Sequence, residues 1–192
     1  MLKENSELRA EARKALQGKW PMAAIAALIT LGITGVSSYI PVVGVILVGL
    51  PVTYGFMVLM LALRRGAGDV DFGTLFEAFK DYGRIVGTKA LQAIYTVLWS
   101  MLLVVPGVIK GYSYAMTDFI LKDELQLKNN EAIEKSMAMM DGNKMKLFML
   151  DLSFIGWGIL CCFTLGIGFL FLMPYMQAAR AAFYEDLKAQ QA

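Results

Sequence analysis

Five residues in the middle of the chain carry side chains that can do chemistry, and they recur at helical spacing. Lys110, Ser113, Tyr114, Thr117 and Asp118 fall at i, i+3, i+4, i+7 and i+8, which places them on one face of a helix. A cation, three hydroxyls and a carboxylate in that row suit a hydrated path for a polar solute. They equally suit interhelical hydrogen bonds at the centre of a packed bundle. Lys110 and Asp118 are eight residues apart, about 12 Å along a helix, so they do not bond each other directly. The adjoining face is small or apolar, with Gly107, Gly111 and Ala115 at the spacing that allows close helix contact. Asp151 and Arg180 also stand inside apolar runs, where an isolated charge costs about 2.5 to 3.5 kcal/mol. They are expected to form a structural ion pair with each other across the last pair of helices.

Catalysis has little support. The chain has no histidine, which removes the commonest general base, proton shuttle and metal ligand together. Cys161 and Cys162 are adjacent in an apolar run, so they offer neither a disulfide framework nor zinc spacing. The acids are not grouped as metal ligands, and no glycine-rich phosphate loop follows a strand. No catalytic residue, metal or cofactor is expected. With 18 Lys and Arg against 16 Asp and Glu there is no basic excess for nucleic acid.

The elements that would position these residues are apolar. At 57% hydrophobic and 18% charged, 192 residues are too greasy for an ordinary soluble domain, and a bilayer is the natural solvent. Residues 1–19 read as a charged interfacial helix with Leu8, Ala12, Ala15 and Leu16 on one face, too charged for a cleaved leader. Residues 20–63 include no charge from Trp20 to Leu63, room for a hairpin of two spans, with its turn near Ser37, Ser38, Tyr39, Ile40 and Pro41. Residues 64–89 form a polar connection with a short helix that Thr74 and Glu77 would cap. Residues 90–121 form a second hairpin, short for two full spans and broken at Pro106 and Gly107, either as a full turn at the outer face or as a kink at depth in a partly re-entrant pair. Residues 122–146 form another polar connection, where Asn130 would cap a helix carrying Ile133, Met137 and Met140. Residues 147–183 form a third hairpin that turns near Thr164 to Gly168, and residues 184–192 are a polar tail.

The pattern repeats loosely. Each third has an amphipathic helix, a glycine followed directly or, at Gly142, one residue later by a basic residue, then an apolar hairpin with a proline in its returning half. The glycines are Gly18, Gly83 and Gly142, and the prolines Pro51, Pro106 and Pro174. Three hairpins place 17 of the 18 Lys and Arg on one side, Lys110 being the exception. The positive-inside rule then puts both termini and both long connections in the cytoplasm. The expected fold is all-α: a polytopic helical membrane bundle of about six transmembrane helices in three hairpins, each preceded by an amphipathic cytoplasmic helix.

Several segments carry a resemblance. Leu102 to Tyr114 (LLVVPGVIKGYSY), Ser136 to Lys144 (SMAMMDGNK), Leu152 to Trp157 (LSFIGW), the Lys3 to Trp20 segment, and Pro174, Tyr175, Phe183 and Tyr184 resemble the bacterial integral membrane family catalogued as domain of unknown function 975. The resemblance spans nearly the whole chain. It implies a multi-pass protein of the bacterial cytoplasmic membrane and no particular activity. The shared motifs include Pro106, Gly107, Lys110, Tyr112, Tyr114, Gly142, Gly156 and Trp157.

Two roles follow as expectations. One is a non-enzymatic component that binds membrane lipid, a partner membrane protein or a second copy of itself through its amphipathic segments. The other is a small transporter or channel with a polar path along the Lys110 to Asp118 face.

Overall fold

The computed structural model describes residues 2–40 and 42–191, and every element among them is helical. In chain order these are α1 (Asn5–Leu16), α2 (Trp20–Ser37), a π-helical turn (Val45–Gly49) running into α3 (Leu50–Arg64), a 3-10 segment (Phe72–Asp81), α4 (Tyr82–Leu102), α5 (Val104–Ser113), α6 (Thr117–Asp123), α7 (Asn130–Met139), α8 (Lys144–Leu152), α9 (Ile155–Phe163) and α10 (Phe169–Gln191). Three stretches are long and apolar enough to cross a membrane: Trp20–Ser37, Val45–Arg64 and Lys144–Phe163.

The chain folds back on itself three times, pairing α2 with α3, α4 with α5, and α9 with α10. One device recurs at each tip. A side chain at Gly44, Gly107 or Gly168 would collide with Ser37, Ser100 or Cys161 respectively, in each case the residue seven positions earlier. A glycine opposite a small residue lets two helices close tightly. This shared register is firmer evidence of a repeated unit than the spacing of the basic glycines. Gly18 and Gly142 are left-handed, with φ of 77° and 73°, but Gly83 lies inside the first turn of α4.

Local chemistry moves several boundaries. The break in the middle pair falls at Leu103, which is extended (φ −161°, ψ 142°), and Pro106 sits in the first turn of α5, where a missing N–H leaves no bond unmade. The break is therefore a full reversal of the chain. The 3-10 segment is capped by Asp71, whose carboxylate accepts from Gly73 N at 2.9 Å, so Thr74 is not the cap. Asn129, at φ 50°, precedes α7 in place of Asn130, whose amide reaches Glu134 instead. Of the first expected turn, Pro41 lies outside the described residues.

Leu47 shows how the pairs are joined. Pro51 has no N–H to give the carbonyl four residues before it. That carbonyl, Leu47 O, instead accepts from the Tyr82 hydroxyl at 2.8 Å, tying the start of α4 to the first pair.

The core runs through α3, α6 and α10 and is closed by α1. Leu8, Ala12 and Leu16 of α1 are fully buried against α3 and α10, so its apolar face is covered by protein. Around this end lies a set of ion pairs. Arg64 Nη2 is 2.6 Å from Glu11 Oε2, and Arg65 grips Asp123 with both terminal nitrogens at 2.7 Å while also reaching Glu185. Tyr184 and Lys188 donate to the same Asp123 carboxylate. Large exposed apolar side chains mark the tips, with Leu165 95% and Tyr39 87% exposed.

Candidate functional site

On α4, Lys89, Gln92, Thr96 and Ser100 recur three, four and four residues apart, so they share one face. Opposite them α5 presents Gly107 and Gly111. A Cβ at Gly111 would meet open space among the described residues, while Gly107 closes on Ser100. The result is a cavity of about 440 Å³ whose wall is the α4 stripe and which is bounded by Tyr112, Tyr114, Asp118 and Arg180.

Two ion pairs bound it. Lys89 Nζ lies 2.9 Å from both oxygens of Asp118, with Asp118 3% and Lys89 9% exposed. Arg180 forks onto Asp151, Nη2 to Oδ2 at 2.7 Å and Nε to Oδ1 at 3.2 Å, and Tyr112 donates its hydroxyl to Oδ2 at 3.1 Å. The cations are thus neutralised in place. Charges buried as deeply as Lys89 and Asp118 persist only when paired and hydrogen-bonded, and the Arg180–Asp151 pair is partly buried.

The uncharged groups leave acceptors over. Thr96 and Ser100 donate their hydroxyl protons back to the carbonyls of Gln92 and Thr96, at 2.9 and 2.8 Å. Gln92 Nε2 donates to Tyr114 O at 3.4 Å, and among the described residues no donor reaches the buried Gln92 Oε1. With the Thr96 and Ser100 protons committed, these hydroxyls and Gln92 Oε1 offer lone pairs to the cavity, while Gln92 Nε2 keeps a second N–H. The arrangement suits a small solute rich in hydrogen-bond donors.

The residues singled out by spacing divide. Tyr114 and Asp118 line the cavity. Lys110, Ser113 and Thr117 face protein. Lys110 Nζ sits 5.0 Å from the Trp99 ring centroid and 3.9 Å from Met137 Sδ. Ser113 bonds Ile109 O through its hydroxyl, and its carbonyl accepts from Ser136 Oγ at 2.9 Å. Thr117 is fully buried and donates to Tyr114 O at 2.8 Å. The five do not form one face because the helix is interrupted between α5 and α6, with a turn at residues 114–116. Lys89, Gln92, Thr96 and Ser100 were the missed wall. Their own 3-4-4 spacing was the available signal, hidden because Lys89 reads as a charge flanking a span.

No curated protein and no solved structure matches this chain. A family model does, over residues 90–191, more than half of the chain and including all of the cavity wall except Lys89 and Met57. On that match the chain belongs to the family described as Protein of unknown function (DUF975).

Proposed function

We propose that this chain is a non-enzymatic multi-pass membrane protein that binds and passes a small, donor-rich polar solute through the cavity beside α4. The observation that carries the reading is the α4 stripe: polar atoms facing a cavity of about 440 Å³, with Gln92 Oε1 buried and unmatched. In an apolar bundle such groups are costly unless something polar meets them. Binding of lipid or a partner through the amphipathic segments has less surface to use. Leu8, Ala12 and Leu16 of α1, and Ala132 and Ile133 of α7, are covered by the protein's own helices, which leaves Phe76 and Phe79 of the 3-10 segment as exposed apolar groups there.

In this reading the three helix pairs enter the membrane tip first, six segments in all. The charged ends, both termini and the two long connections remain on the cytoplasmic side, as the placement of Lys and Arg supports.

The test is efflux from proteoliposomes loaded with an extract of small metabolites, read by mass spectrometry. At least one polar solute is expected to leave through the wild type and to be retained by Gln92→Leu and Thr96→Val. Equal retention in protein-free vesicles and wild type would sink the proposal.

A further inference from the structure

A second cavity, of about 380 Å³, lies between α9, α10 and the start of α2, on a side of the molecule rich in exposed apolar residues. Its walls are Trp20, Trp157, Leu160, Phe171 and Tyr175, and among the described residues the only ionic group lining it is Arg13. We propose that this groove seats one acyl chain of an anionic membrane lipid, with the lipid phosphate on Arg13. The inference does not depend on the solute reading.

Arg13 is held for such a role. Leu8, Ala12 and Leu16 dock α1 on α10, and Arg13 Nη1 donates to the Tyr175 hydroxyl at 3.1 Å, fixing the guanidinium beside the groove. Its other N–H groups remain for a planar, bidentate partner such as a phosphate. Among the described residues no carboxylate forms an ion pair with Arg13 or with Arg9, which does not line the groove, whereas Arg64, Arg65, Arg84 and Arg180 each have at least one. The aromatic wall is itself ordered: Tyr175 packs edge-on against Trp20 (5.9 Å between centroids) and Phe154 (5.0 Å). An apolar trough with one unmatched cation beside it complements an anionic amphiphile, tail in the trough and head on the arginine.

Native mass spectrometry of the detergent-purified chain tests this with phosphatidylglycerol and phosphatidylcholine of identical acyl chains. The wild type should retain one phosphatidylglycerol with about a tenfold preference, because both lipids offer a phosphate to Arg13 but the choline cation of phosphatidylcholine offsets its charge. Arg13→Gln should bring the two lipids to parity, and Lys14→Gln, a neighbouring exposed base, should leave the preference unchanged. Leu160→Trp, which fills the trough, should lower retention of both. A Trp99→Phe variant keeps only the two groove tryptophans, and stoichiometric phosphatidylglycerol brominated on its chain should quench them. Equal retention by the wild type, a preference that survives Arg13→Gln, or unquenched Trp20 and Trp157 would each overturn the proposal. Inorganic phosphate at the same concentration should not displace the lipid; displacement would show that the site takes a free anion.

Discussion

Lys89 and Asp118 are each other's only ionic partner among the described residues, joined at 2.9 Å between α4 and α6 with both side chains almost wholly buried. Removing one member leaves the other charged and desolvated, whereas replacing both with apolar groups removes the problem. Asp118→Asn should therefore destabilise the detergent-purified protein by about 3 kcal/mol or more. The double variant Lys89→Met with Asp118→Leu should recover much of that loss. Unfolding midpoints around this double-mutant cycle provide the check, and additive losses would contradict the pairing.

The Tyr82 hydroxyl serves a carbonyl that Pro51 orphans. Tyr82→Phe keeps the ring, which stacks on Phe79 at 5.7 Å, and deletes only the donor. Stability should fall by about 1 kcal/mol. Pro51→Ala restores an N–H for Leu47 O, so in that background the cost of Tyr82→Phe should shrink. A full cost in both backgrounds would mean that the π turn, not the proline, sets the need for the bond.

Asp123 is the hub where α3, α6 and α10 meet outside the apolar runs. Burial works against its ionised form, but hydrogen bonds from Arg65, Lys188 and Tyr184 outweigh burial and hold the carboxyl down at about 2. A carboxyl lowered in the folded state stabilises fully above its unfolded value and ceases to do so as pH falls through the folded one. The contribution, about 1 to 2 kcal/mol, should be complete above pH ~5 and lost on approach to pH ~2. Melting curves of wild type and Asp123→Asn should therefore differ at pH 7 and converge on acidification. A constant gap would show that Asp123 acts by packing alone.

Much of the fold class was legible in the sequence because it rests on composition and long-range spacing: the charge-free run from Trp20 to Leu63 predicts helices, and the motifs around Pro106 and Trp157 point to the family that the model match shows. The site was less legible. Whether Lys110 and Asp118 share a face depends on an interruption at residues 114–116 that contains neither proline nor glycine, so nothing local announces it. Pro106 misled in the other direction, since a proline in a first turn is harmless and the reversal could move to Leu103. Gln92, Thr96 and Ser100 were readable by periodicity alone, but their importance comes from what α5 lacks opposite them, and that is a fact of tertiary packing.

The threading is the remaining prediction, and exposed residues at the three tips make it direct. In a variant with Cys161 and Cys162 replaced by alanine, single substitutions Tyr39→Cys, Leu103→Cys and Leu165→Cys should react with an impermeant maleimide added to intact cells. Asp69→Cys and Asp141→Cys, in the long connections, should react only after the membrane is opened. Each tip residue is more than 60% exposed in the fold, so protein packing alone would not block the reagent. The middle tip is the discriminating one. α5 has 10 residues, about 15 Å of helix, and reaches the length of a span only by continuing through the 114–116 turn into α6. If Tyr39→Cys and Leu165→Cys label while Leu103→Cys stays protected, the middle pair ends inside the bilayer. The α4 stripe would then open toward the cytoplasm alone, favouring binding over passage.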